Sequence, residues 1–194
     1  MEKRWIKAAT ILQPSIEVCG TRLLKFSLRH RVALEAIDSP VLRPNAPMSA
    51  SHLVAAVKIL SSKTIEEIAT PATLKQKFWV SRLEFNQSLM VTEMAKLIQY
   101  LEAQANWPRF WQDDEKKNSK ADNGIPWQLA VVASLVRNGC TTEEAWTMPE
   151  AEAIWLHMAN CAYQGSEVKI ISDEEWDAMM KYKETLKQEN NQNG

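Results

Sequence analysis

Cysteine, histidine and carboxylate side chains carry most protein chemistry, and this chain offers few arrangements of them. Cys140, His157 and Cys161 form the best metal-ligand set. His157 and Cys161 stand four residues apart, which puts them on one face of a helix. A fourth ligand and any C-x-x-C are missing, and small cysteines are common in helical cores, so no metal is expected. Nucleophilic catalysis needs a nucleophile, a base and a group that orients the base. His30, His52 and His157 fall in three separate predicted helices. G-x-S-x-G, P-loop, G-x-G-x-x-G and H-E-x-x-H motifs do not occur. Glu150 and Glu152 are two apart and point in different directions on a helix. The expectation is a non-enzyme with no catalytic residues and no cofactor.

Two clusters invite a nucleic-acid reading. Arg29-His30-Arg31 is basic, but it spans a single turn and reads as a solvated face. RNGCTTEEAW, residues 137–146, looks like the turn and start of a recognition helix. That helix would present Glu143 and Glu144, followed by Glu150 and Glu152. Carboxylates facing phosphates are repelled, and phosphate neutralisation supplies most non-specific affinity. DNA binding is therefore not expected, although a helix–turn–helix transcriptional regulator stays among the alternatives.

The eight tryptophans are more telling. Trp107, Trp111 and Trp127 bracket a polar segment, and Trp is enriched at interface hot spots. These three are candidate partner contacts. Met90 and Met94 join them, because methionine makes adaptable contacts. Trp146, Trp155 and Trp176 are expected to anchor the core.

The elements that must position these residues are mostly helical. Gly is scarce, and Ala, Leu, Glu and Lys are abundant. Ile16–Val18 and Arg22–Phe26 flank Cys19-Gly20-Thr21 and predict a short β-hairpin. Ser27 caps a helix to about Ile37, with Leu28, Val32 and Ala36 on one face and Leu34 and Ile37 beside it. Asp38-Ser39-Pro40 ends it, and Val41–Met48 reads as an extended linker. A second helix starts near Ser49 or Ser51 and runs to about Leu60. Thr64-Ile-Glu-Glu67 is a capping box for a short one. Thr70-Pro71 then opens a long helix of about 72–103. Its residues Trp79, Leu83, Met90, Met94, Leu97 and Leu101 lie close to a heptad seam interrupted by Asn86. That seam suits either self-association or the centre of a bundle.

Residues 112–124, QDDEKKNSKADNG, hold no aliphatic side chain larger than Ala. They read as a flexible polar linker. The chain thus divides into 1–111, a hairpin plus helical region, the linker 112–124, and a C-terminal helical module, 125–194. In that module Leu129, Val132, Ala133 and Val136 form a stripe, and Asn138-Gly139 ends the helix. Thr141-Thr-Glu-Glu144 caps a short helix, and Glu150–Tyr163 makes the next, with Trp155, Met158, Ala159 and Ala162 on its buried face. Val168–Ile171 is extended. Ser172-Asp-Glu-Glu175 caps the last helix, whose tail KQENNQNG is expected to fray. The fold class expected is mainly α: a helical bundle with a small N-terminal β-hairpin and a C-terminal helical module.

Charge is divided unevenly. Residues 1–97 hold 14 Lys+Arg against 8 Asp+Glu, and residues 98–194 hold 9 against 16. Such polarity can steer contacts between copies or towards a charged partner. No apolar run approaches the ~18 residues needed to cross a membrane. The start lacks a long apolar stretch and a small-residue cleavage site, so a signal peptide is not expected. Three cysteines without close pairing point to a reduced compartment.

Two regions resemble phage tail assembly chaperones, the small helical proteins of long-tailed phages and prophages. One is PSIEVCGTRLLKFSLRHRVALEAIDSPVL, residues 14–42, where a strand pair gives way to a helix. The other is IPWQLAVVASLVRNGCTTEEAWTMPEAEAIWLHMAN, residues 125–160: an apolar helix, a Gly, a Thr-Glu-Glu cap, a short helix and a final helix. Together they cover about a third of the chain. The stretch 72–103 carries no motif of that family, and the chain is longer than many of its members. The resemblance implies a non-catalytic protein of the infected bacterial cytoplasm. It would bind the tape-measure protein and tail-tube subunits during tail morphogenesis, and self-associate to coat a long client. A structural virion protein that remains in the particle, such as a connector or tail component, is the competing expectation.

Overall fold

A computed structural model describes residues 3–10, 16–43, 46–109, 124–166 and 170–192. The chain is mainly α with one small antiparallel hairpin near its N-terminus and a helical C-terminal module. Helix α1 is Lys3–Thr10, strands β1 and β2 are Glu17–Val18 and Thr21–Arg22, and α2 is Leu28–Ala36. A 3-10 turn, Pro40–Leu42, precedes α3 (Ala50–Ser61), α4 (Ile65–Ala69), α5 (Leu74–Phe85) and α6 (Gln87–Gln104). The module holds α7 (Trp127–Arg137), α8 (Thr142–Thr147), α9 (Glu150–Tyr163) and α10 (Asp173–Gln192). Among the described residues no helix is long and apolar enough to cross a membrane.

In the hairpin Glu17 faces Arg22 and Val18 faces Thr21. Its two turn residues, Cys19 and Gly20, have φ of 51° and 60°. This is a type I′ turn, whose twist matches the strands and which needs positive φ at both positions. Gly20 reaches it freely, whereas Cys19 is held there. Its N–H donates at 2.6 Å to Oε2 of Glu93, a buried residue whose carboxylate also accepts from Lys96 Nζ.

The first core gathers Val18, Leu23 and Phe26 from the hairpin, Leu34 from α2, and Leu83, Leu97 and Tyr100 from α5 and α6 around α3. Helix α3 is enclosed on most sides, with Leu53, Val54, Ala56, Val57, Ile59 and Leu60 all buried. A second core joins Val131, Val132 and Leu135 of α7 to Ala145 of α8 and Ala153 of α9. Its remaining member is Leu28 of α2. A third, smaller cluster packs Trp5 and Ala8 of α1 on Ala151 and Trp155 of α9, the two indoles 6.2 Å apart.

Several elements depart from expectation. Helix α1 was not read from the sequence. The single helix expected over 72–103 is two helices, broken at Asn86 (φ −132°, ψ 90°), whose side chain caps α6 by accepting from the N–H of Leu89. Helix α5 begins after Thr73 rather than Thr70, because Gln76 closes a capping box on Thr73. The buried side of α2 is Leu28, Arg29, His30 and Leu34, while Val32 and Ile37 are exposed. In α7 the buried set is Gln128, Val131, Val132 and Leu135. Leu129 and Val136, expected inside, are exposed. On α9, Ala159 and Ala162 of the expected buried face are exposed as well. Helix α10 continues to Gln192, into the tail expected to fray. Residues 112–123 of the expected linker, Trp111, and 168–169 of the expected extended piece lie outside the described residues.

Candidate protein-interaction surface

The residues with chemical potential are engaged in holding the fold. His30 and His52 each occupy the third position of a helix and close a capping box with Ser27 and Ser49. Nδ1 of His30 accepts from the Ser27 N–H at 3.2 Å, and its Nε2 lies 3.0 Å from the Ser62 carbonyl. Burial lowers the His30 pKa below 6.5, which keeps the ring neutral and suited to accept at one nitrogen while donating at the other. His157 lies 3.7 Å from Cys161 Sγ through Nε2, and burial lowers its pKa too. Among the described residues no three His, Cys, Asp or Glu side chains group to hold a metal ion. Cys140 packs instead against the second core, and the buried Cys19 thiol is pushed up to about 12, first by burial and then by Glu93.

The basic turn of α2 is buried, not solvated, and this corrects the sequence reading. Arg29 grips Glu143 with both terminal nitrogens, at 2.8 and 2.5 Å. Arg31 pairs through Nε and Nη2 with both oxygens of Glu150, a carboxylate that is 1% exposed. Its guanidinium lies over the Phe26 ring at 5.1 Å and over the Trp107 ring at 5.4 Å. Trp107 and Arg31 both favour the charged form of Glu150, against the burial that raises its pKa. One turn further along α2, Glu35 Oε2 accepts from Gln128 Nε2 at 2.6 Å. Thus α2 carries Trp107 at one end of a polar row and the start of α7, where Trp127 stands, at the other.

The candidate partner residues divide accordingly. Trp107 and Trp127 are 37% and 44% exposed, the Trp107 ring being covered on one side by the Arg31 guanidinium. Met90 and Met94 are half-buried and pack against the first core. Trp155 is buried, as expected. Trp146 packs beside the second core, and Trp176 lies under the Arg109 guanidinium at 4.7 Å.

Sequence reasoning missed the more extensive apolar surfaces. A groove of about 320 Å³ runs between Trp5, Trp155, Leu156, Met158, Ala159, Ala162 and Ile170. A smaller cavity of about 220 Å³ lies beside the hairpin, walled by Cys19, Val57, Lys58, Lys75 and Trp79. Its lysines turn to backbone carbonyls, Lys75 to Gly20 at 2.8 Å and Lys58 to Thr70. On α5, Leu74, Phe78 and Phe85 are 85%, 60% and 89% exposed. On α6, Val91 and Ile98 stand out seven residues apart, and Ile125, Leu129 and Val136 do so at α7. The helical spacing of these residues was present in the sequence. Which side of each helix meets the core was not.

No family model, curated protein or solved structure matches the chain.

Proposed function

We propose that this chain is a non-catalytic phage tail assembly chaperone of the host cytoplasm, binding the tape-measure protein and tail-tube subunits while tails assemble. The family rests on the resemblance of residues 14–42 and 125–160. The observation that supports a binding role is the ordering of exposed apolar side chains into rows. Single solvent-facing apolar residues are ordinary. Rows at helical spacing on α5, α6 and α7, together with an apolar groove on α9, are what a surface that receives other helices needs.

A DNA-reading role has little support from the same elements. Helix α8 is six residues long, and Glu143 and Glu144 on it are exposed carboxylates tied to Arg29 and Thr141. Co-expression with a tape-measure protein tests the proposal. Its soluble fraction should rise with this chain present, and fall back when Trp127 and Leu129, both exposed, are changed to Ser. Unchanged aggregation sinks the chaperone reading. Finding the chain by mass spectrometry in purified particles replaces it with the structural one.

A further inference from the structure

Helix α5 is apolar on two opposite sides. Trp79, Val80 and Leu83 pack toward the first core. At about 100° per residue, Leu74, Phe78 and Phe85 fall within roughly 40° of one another on the far side. They follow at intervals of four and seven, and Ser81 completes the row between the two phenylalanines. The row extends along about 16 Å of helix. Its large side chains stand mostly in solvent (85%, 60% and 89% exposed), and the small serine leaves a hole between them that a partner's side chain can fill.

The edges of the row say what kind of partner fits. Lys75 and Arg82 border it on one side, and Lys77 and Glu84 on the other. Three of the four bordering charges are therefore positive. Lys75 is anchored on backbone carbonyl and hydroxyl oxygens of the hairpin, and Arg82 on the Trp79 ring at 5.1 Å. Neither contact neutralises the cation. A second α5 laid antiparallel on the first could pair opposite charges where the two Lys77–Glu84 edges meet, but it would set the two wholly cationic Lys75–Arg82 edges against each other, and like charges across a helix pair are unfavourable. A helix whose apolar seam is flanked by carboxylates meets both the apolar row and its cationic border.

We infer that the outer face of α5 is the docking site for an acidic amphipathic helix of a client protein. This rests on the reading of the chain as a protein binder and not on which client it serves. Fluorescence anisotropy of the full chain with a labelled peptide of about three heptads tests it, using Leu at the seam and Glu at the flanks. A twin with Lys for Glu serves as control. The acidic peptide should bind, weaken with salt, and lose about tenfold or more in affinity to the double variant Phe78→Ser/Phe85→Ser. Both substituted side chains are exposed, so the fold tolerates the change. Lys77→Glu should shift preference toward the basic twin. Equal binding of the two peptides, or an unaffected double variant, overturns the inference. So does a double variant that turns an oligomer of the wild-type chain into a monomer in sedimentation, because a second copy would then be the occupant. No tape-measure protein enters this assay, so its failure is separable from failure of the co-expression test.

Discussion

Glu150 shows how little freedom some charged side chains have here. Its carboxylate is buried at the start of α9 and satisfied by both Nε and Nη2 of Arg31. Its own N–H donates to the Phe26 carbonyl at 2.7 Å. Removing one member of a buried pair leaves an uncompensated charge, which costs about 3–5 kcal/mol. Glu150→Ala should therefore lower stability by about that amount in chemical denaturation. Changing both partners to apolar residues, Arg31→Met with Glu150→Leu, should recover most of it. His30 gives a pH signature. Burial lowers its pKa below 6.5, so the unfolded chain binds the proton more readily. Its contribution is complete above pH 6.5 and is lost as pH falls toward the lowered value. Glu150, raised above 4.5 by burial, has the opposite sign, its contribution falling as pH rises from 4.5 through the raised value. The difference between wild type and His30→Gln isolates the histidine. Glutamine can keep the Ser27 cap, so the variant should show a flatter loss of stability just below pH 6.5, and an unchanged profile would contradict the assignment. The sequence reading missed this residue because a capping box is recognised by Glu or Gln at its third helical position. In Ser27-Leu-Arg-His30 the imidazole takes that role, so the turn looked like a solvated basic patch.

At the scale of elements, caps were legible and helix phase was not. Ser27, Thr64, Thr141 and Ser172 cap helices where expected, and Ser49 rather than Ser51 caps α3, because a cap is a local event between neighbouring residues; only the cap expected at Thr70 moved, to Thr73. Phase depends on what lies across from the helix. The α7 sequence WQLAVVASLVR is apolar over most of its circumference, so two adjacent stripes satisfy the helical period. The contact of Gln128 with Glu35 belongs to the phase that buries Val131 and Leu135 and turns Leu129 outward. The same ambiguity hid the second apolar face of α5. The α5–α6 break was marked in the sequence by Asn86, where the heptad seam is interrupted. Its side chain accepts from the Leu89 N–H at 3.0 Å, and loss of such a cap costs about 1 kcal/mol. Asn86→Ala should lower stability by that much, while Asn86→Asp should retain most of the wild-type value. A stabilised alanine variant would mean that a continuous helix is the better structure and the break is not held by the cap.

For the whole molecule, the polar segment before Gly124 suggested two independent parts, yet the described halves share one interior. Leu28 of α2 is fully buried among side chains of α7, α8 and α9. Around it run the Ser27–Pro149 bridge, the Arg29–Glu143 and Arg31–Glu150 pairs and the Gln128–Glu35 hydrogen bond. Arg4 adds a further tie, donating to the Ile171 carbonyl at 2.5 Å. These contacts are separated by up to 167 residues in sequence, so no local pattern could reveal them, and a composition shift at the linker pointed the other way. The second core is thus complete only when α2 occupies it. Residues 125–194 produced alone would expose Val131, Val132 and Leu135 where Leu28 now sits, and would leave Glu150 without Arg31. That fragment should show weak near-ultraviolet dichroism and a broad melt, and should regain a cooperative transition when residues 1–111 are supplied in trans. In the intact chain Leu28→Ala should cost about 2–5 kcal/mol and destabilise both halves together, because the cavity opens at their common boundary. Fluorescence of the tryptophans in the module and far-ultraviolet dichroism of the whole chain should then move to the same lower denaturant midpoint. Two separate midpoints would show that the halves fold independently and that α2 only rests against the module.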